Sequence, residues 1–196
     1  MSWLWLVLAL GAAAWALKKS GGSGHAPQRK LLLVNLCLPG EAAGATAEWA
    51  ADILSREVGL QVSVRAEPLE ISGNVFHSQT RQADAVALVE ALEPLVTAEC
   101  AVLGFTDYDL HSPLRRDLPF AMGARKGLAG LISTYRMQDK LRAQNTLDRL
   151  HKMLVRYVLE IVCDAARDHN PRSLLYEHLH RPEQLDIMRP DWDAGA

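Results

Sequence analysis

Residues Lys30–Leu38 read KLLLVNLCL, a near-continuous aliphatic run that Pro39-Gly40 stops. A run of this length suits a strand covered on both faces, because a half-exposed strand alternates apolar with polar residues. Covering both faces requires packed helices, which points to an α/β layout. The rest of the chain supplies the pieces. Gly44–Val58 is alanine-rich with Trp49, Ile53 and Leu54 at helical spacing, and Gly59 follows as a C-cap. Leu60–Val64 alternates as a second strand, and Pro68–Asn74 reads as loop. Arg81–Val96 reads as a helix with Ala85, Leu88, Val89 and Leu92 inward, stopped near Pro94 or shortly beyond. Cys100–Phe105 and Gly127–Thr134 are two further buried strands. Gln138–Arg167 has the spacing of a long amphipathic helix, with Leu147, Leu150, Leu154, Val158 and Ile161 on one face. The order β-α-β-α-β-β-α predicts a mixed sheet packed by helices. Asp168–Ala196, rich in His, Pro, Arg and Asp, reads as an irregular segment wrapping the domain, with a helical turn around Leu174–Leu179.

With 196 residues, 49% of them hydrophobic and 22% charged, the chain has material for one core and an appendage. The appendage is N-terminal. Trp3–Leu17 is unbroken apolar sequence, followed by Lys18-Lys19 and the flexible Ser20-Gly21-Gly22-Ser23-Gly24. This run is short for a membrane span, for which about 20 apolar residues are comfortable and about 17 are the lower limit. The division is a transmembrane anchor over residues 1–19, a linker over 20–29 and a domain over 30–190. Lys18, Lys19, Arg29 and Lys30 favour a single-pass topology with the domain cytoplasmic. Two alternatives stay open: a signal cleaved after Ala14-Trp15-Ala16, giving a secreted or periplasmic domain, and a helix buried in the domain itself. A net charge of −2 provides no bulk attraction to nucleic acid, so no nucleic-acid partner is expected. Cys37, Cys100 and Cys163 each sit in apolar sequence and form no C-x-x-C pair, as reduced core cysteines do; a metal-binding role for Cys163 is the competing reading.

Four motifs share one order along the chain: Arg81-Gln82 ahead of a helix, Thr106-Asp107-Tyr108-Asp109-Leu110 after a strand, Phe120-x-x-Gly123-Ala124, and Ser133-x-x-Arg136. With the strand and helix between them, these segments resemble the archaemetzincin family of zinc metallopeptidases over roughly residues 31–152. The resemblance implies a metzincin-like α/β domain whose long helix carries H-E-x-x-H. Two histidines four apart present both imidazoles to one ion, and the glutamate after the first takes a proton from metal-bound water. Here those five positions read Arg156-Tyr157-Val158-Leu159-Glu160. A guanidinium has no lone pair to give and repels a cation. A tyrosine is no substitute for a carboxylate base near neutral pH. The family's third histidine would fall on Ala166, its cysteine-rich zinc site has no match, and Met188 is the one candidate for the methionine beneath the metal.

These residues predict a degenerate, non-catalytic relative with no metal, no cofactor and no catalytic residue, keeping a cleft for a peptide or protein partner. Three readings of Arg156 and Glu160 stay open: an ion pair buried where the metal stood, a solvated i,i+4 pair, and a working metal site using Glu160. The competing function is an active zinc hydrolase with ligands rearranged from Glu160, Asp164, His169, His178 and His180, with Cys163 nearby. Asp107 and Asp109 lie past a strand end, where either turn chemistry or metal-free catalysis would use them, though no nucleophile accompanies them. Arg115, Arg116, Arg125 and Lys126 border the expected cleft, either as solvated loop or as contacts for an acidic peptide or phosphate.

Overall fold

The computed structural model describes residues 29–42, 44–58, 60–77, 79–113 and 119–189. The expected anchor over residues 1–19 and nearly all of the linker lie outside them, as do Arg115 and Arg116. Among the described residues, no helix is long and apolar enough to cross a membrane.

The strands are β1 (Lys30–Cys37), β2 (Val62–Val64), β3 (Leu69–Glu70), β4 (Ala83–Asp84), β5 (Cys100–Thr106), β6 (Leu110–His111), β7 (Gly123–Lys126) and β8 (Ala129–Ser133); the helices are α1 (Thr46–Ile53), α2 (Ala85–Leu92), α3 (Ala143–Ile161) and α4 (Pro182–Ile187). One six-stranded sheet runs β2-β1-β5-β8-β7, with β3 pairing beside the end of β1. All its neighbours are parallel except β7, which pairs antiparallel with β8 and forms one edge. The short β4 and β6 pair parallel on their own.

The expected three-layer logic holds. Leu31, Leu33, Leu103, Phe105 and Ile132 pack with α1 and α3, while Val34, Leu36, Val102 and Leu131 pack with α2 on the opposite face. Each of these fully buried side chains contributes roughly 1.5–3 kcal/mol relative to exposure. The one polar residue in the middle of β1 has a task. Asn35 accepts from the Ala47 N–H at 3.0 Å and donates to Glu48 at 2.9 Å, capping α1 from the sheet where Ala45 offers no side-chain cap. At α2 the cap is local, with Asp84 accepting from the Val86 and Ala87 N–H groups.

Several boundaries differ from the sequence reading. Pro68–Asn74 contains β3 and a short 3-10 turn, because backbone pairing to β1 gives two loop residues a partner. The long helix is shorter at both ends than its apolar spacing suggests, and Leu147 is 46% exposed rather than inward. From Met153 to Ile161, by contrast, every residue is buried, because the segment after the helix folds back across the side that faces away from the sheet. The C-terminal helix lies at Pro182–Ile187 and not around Leu174–Leu179, where turns and a bridge between Asp168 and Tyr176 occur instead.

What ends α3 is Asp164. It sits in the left-handed region at φ 54°, which lets the Cys163 and Ala165 N–H groups turn back onto the Val158 and Leu159 carbonyls. That conformation favours glycine and costs other residues on the order of 1 kcal/mol. Asp164→Gly is therefore expected to stabilise the domain by about 0.5–1 kcal/mol, read as a rise in the urea midpoint at unchanged slope.

Candidate functional site

The four ordered motifs meet in one cluster beyond the strand ends. Arg136 binds Asp109 through two bonds, from Nε to Oδ1 at 2.8 Å and from Nη2 to Oδ2 at 2.5 Å. Gln82 donates to the same Asp109 Oδ2 at 3.1 Å and to the Pro119 carbonyl at 2.9 Å. The Arg136 guanidinium lies 4.8 Å over the Phe120 ring, and the Ser133 hydroxyl donates to the Tyr108 carbonyl. Asp109 is thus neither a turn former nor a free acid; it is one half of a bidentate ion pair. Asp107 remains exposed. The cluster braces the loops that flank a cleft.

That cleft, about 150 Å³, lies between α3 and the chain entering edge strand β7. Its walls include Phe120, Met122, Met153, Arg156, Tyr157 and Glu177. Ordinary small-molecule pockets run from roughly 300 Å³ upward, so this one suits a side chain or a crossing peptide segment rather than an enclosed ligand.

Arg156 reaches the cleft from inside the domain, with its side chain 4% exposed. Its Nε donates to Glu160 Oε1 at 3.0 Å, and its Nη1 donates to the Leu174 and Tyr176 carbonyls, both at 2.8 Å. Burial pulls the guanidinium's pKa down while the Glu160 carboxylate acts to raise it. The Glu160 side chain is fully buried. It also receives Arg167 through both oxygens, at 3.1 and 3.0 Å, and Arg125 Nε stands 3.6 Å away. Arg125 further donates to the Glu160 backbone carbonyl at 2.9 Å. Three guanidiniums therefore surround one carboxylate. This selects the buried-pair reading of Arg156 and Glu160 over the solvated one.

Tyr157 packs where glycine makes room. A Cβ on Gly123 would stand 2.6 Å from the Tyr157 hydroxyl oxygen and 2.3 Å from the Leu131 carbonyl, and one on Gly130 would stand 2.8 Å from the ring. The phenol fills a slot in the sheet. Burial raises its pKa above the ordinary tyrosine value, so it stays protonated and takes no proton near neutral pH.

The rearranged ligand set does not assemble as the sequence suggests. Glu160 is enclosed by arginines, and Asp164 is an exposed helix stop. Cys163 is free and half-buried, its thiol pushed up to about 11 by burial. His169 and His178 do come together, through Glu177, a residue the sequence did not single out; the His180 ring lies 5.8 Å from that of His178. Met188 is buried after α4, but the carbonyls against Arg156 come from Leu174 and Tyr176. Of the basic residues expected at the cleft, Arg125 is committed to Glu160, and Lys126 pairs with Glu90 on α2 and with Glu93 just beyond it.

Two solved structures are similar to this chain. One is an archaemetzincin from Methanopyrus kandleri, at TM-score 0.66 and 19% identity, covering 87% of this chain and 92% of that one. The other is a zinc-dependent peptidase from Methanocorpusculum labreanum, at TM-score 0.61 and 17% identity, covering 82% and 94%. No family model and no curated protein sequence matches the chain. The fold is archaemetzincin-like.

A zinc ion does not fit the side chains of Arg156, Tyr157 and Glu160. Arg156 offers no lone pair, Tyr157 is a buried protonated phenol, and both Glu160 oxygens are engaged by guanidiniums. The energetic consequence is testable. Glu160→Gln leaves buried guanidinium charge without its counter-ion and is expected to destabilise the domain by about 3–5 kcal/mol. Arg156→Met with Glu160→Leu removes both buried charges, and its urea midpoint is expected near or above the native one.

Proposed function

We propose that this chain is a non-catalytic archaemetzincin-like module, tethered to a membrane by Trp3–Leu17, whose cleft holds a peptide segment of a partner protein. The observation that carries this reading is the Arg156 guanidinium, buried at the position the family resemblance assigns to the first metal-binding histidine and paired with Glu160 at 3.0 Å. A cation replaces a cation there, so the surrounding fold is kept while the capacity to polarise water is lost. The chain's own residues each act against hydrolysis. Arg156 holds the Leu174 and Tyr176 carbonyls, Tyr157 plugs the sheet, and Arg167 turns its guanidinium onto Glu160 from beside Ala166.

Binding is a task the same geometry still supports. Among the described residues, edge strand β7 has one unpaired side beside the cleft, which is the arrangement an extended peptide uses to add a strand. The cleft is short and partly cationic, with Arg156 and Arg167 in its wall. Fixed to a bilayer through the N-terminal run, such a module would present that groove to proteins at the membrane surface.

Peptide hydrolysis by the purified full chain in detergent is the direct test, and no turnover above buffer is expected with or without added zinc. Zinc-dependent cleavage by the native chain would overturn the reading. The triple change Arg156→His, Tyr157→Glu and Glu160→His is expected to raise zinc affinity at this position by at least about tenfold, because two imidazoles then converge from one helix face.

A further inference from the structure

Beside the cleft, two chain segments are locked together by their backbones. Asp168 and Tyr176 form a parallel bridge, with the Asp168 N–H donating to the Leu175 carbonyl at 3.0 Å and the Glu177 N–H donating to the Asp168 carbonyl at 2.9 Å. The Asp168 side chain tightens the intervening turn by accepting from the Ser173 hydroxyl and from the Asn170 N–H. His169 follows one bridged position, and Glu177 and His178 follow the other. His169 Nδ1 stands 2.5 Å and His178 Nε2 stands 2.8 Å from the same Glu177 Oε1. All three candidate donor atoms lie within 4.8 Å of one another, and among the described residues this is the one group of histidine, cysteine and carboxylate side chains that converges so closely.

We infer that His169, Glu177 and His178 form a binding site for a borderline divalent cation such as zinc, which fastens the Leu174–Tyr176 turn against the cleft. Two imidazoles and a carboxylate are a donor set zinc accepts, with bonds near 2.0–2.2 Å and a fourth position left to water. Tetrahedral ligands then stand about 3.3–3.5 Å apart. The two spacings to Glu177 Oε1 open to that value by less than about 1 Å, and the group as a whole, within 4.8 Å, closes to it by rotations of the His169 and His178 side chains, which are 87% and 55% exposed. Glu177 is less exposed, at 31%, and also lines the cleft, so the ion would sit on its rim. The Leu174 and Tyr176 carbonyls beside it are those that hold Arg156. A cation here links the loop ends and stiffens the wall that carries the buried guanidinium. This site is separate from the Arg156 position and does not rest on the non-catalytic reading.

The test is a zinc titration of the full chain, read by competition with a chromogenic chelator, with hydrogen exchange of the 173–177 amides as a second measurement. The native chain is expected to take up one zinc through this site. Affinity is expected to fall by about 100-fold or more in His178→Ala and in His169→Ala, a loss at least as large as that from removing an outer-shell partner. His77→Ala, which alters a histidine away from this loop, is expected to leave affinity within about threefold. Zinc is expected to slow exchange at 173–177 in the native chain and not in His178→Ala. Uptake that is absent from the native chain, or unchanged in both histidine variants, would overturn the assignment. Zinc-dependent peptide hydrolysis by the native chain with uptake still dependent on His178 would sink the non-catalytic reading and leave this site standing.

Discussion

A carboxylate with no exposed surface has to be met by positive charge, and Glu160 is met from three directions. Arg156 comes from the preceding turn of the same helix, Arg125 from edge strand β7, and Arg167 from the chain just after the helix. Transferring an isolated carboxylate or guanidinium into this interior would cost several kcal/mol, and their mutual attraction with bidentate hydrogen bonding offsets that cost. The cluster ties together elements that apolar packing alone would leave free to shift: the second half of α3, the sheet edge and the C-terminal segment. Its pairing is specific in direction and partner, so it also fixes how the chain after Ile161 folds back.

The second fixed point is the brace of Gln82, Asp109, Phe120 and Arg136. These residues carry the resemblance to archaemetzincins, and here they make loop contacts. Their geometry shows how the loops flanking the cleft are held. Asp109 is satisfied by Arg136 and Gln82, and Arg136 is further covered by the Phe120 ring, so the loops flanking the cleft are held without reference to any metal. The helix residues facing the cleft answer to a different constraint, which is the neutralisation of buried charge. Tyr157 shows the same division, since its ring is accommodated by the absent side chains of Gly123 and Gly130.

Much of the architecture was legible in the chain. The runs KLLLVNLCL and CAVLGF are strands because, Lys30 and Asn35 aside, their side chains are apolar, and a mixed sheet followed from the order of strands and helices. The short elements β3, β4 and β6 were not legible, because two-residue strands are defined by a distant partner rather than by their own pattern. Helix ends were misjudged for a related reason. The periodicity of α3 continues past Ile161, but Asp164 adopts a left-handed conformation that an aspartate tolerates without requiring. At the site, the chemistry of Arg156 and Tyr157 could be read directly, whereas Arg125, Arg167 and Glu177 carried no local signal of their roles.

What the sequence determined by itself is the chemistry available on the long helix: Arg156 has no lone pair for a metal and Tyr157 no carboxylate for a proton, whatever surrounds them. It also determined which stretches had to be covered on both faces. Only the tertiary structure decided that Arg156 and Glu160 lie inside, that Arg167 and Arg125 converge on them, and that His169 meets Glu177 and His178. The reason is that a residue's spacing along a helix reports which side is apolar but not what is folded over the polar side. Here that cover is the segment after the helix, brought back by carbonyls and guanidiniums 18 and 20 residues apart in sequence.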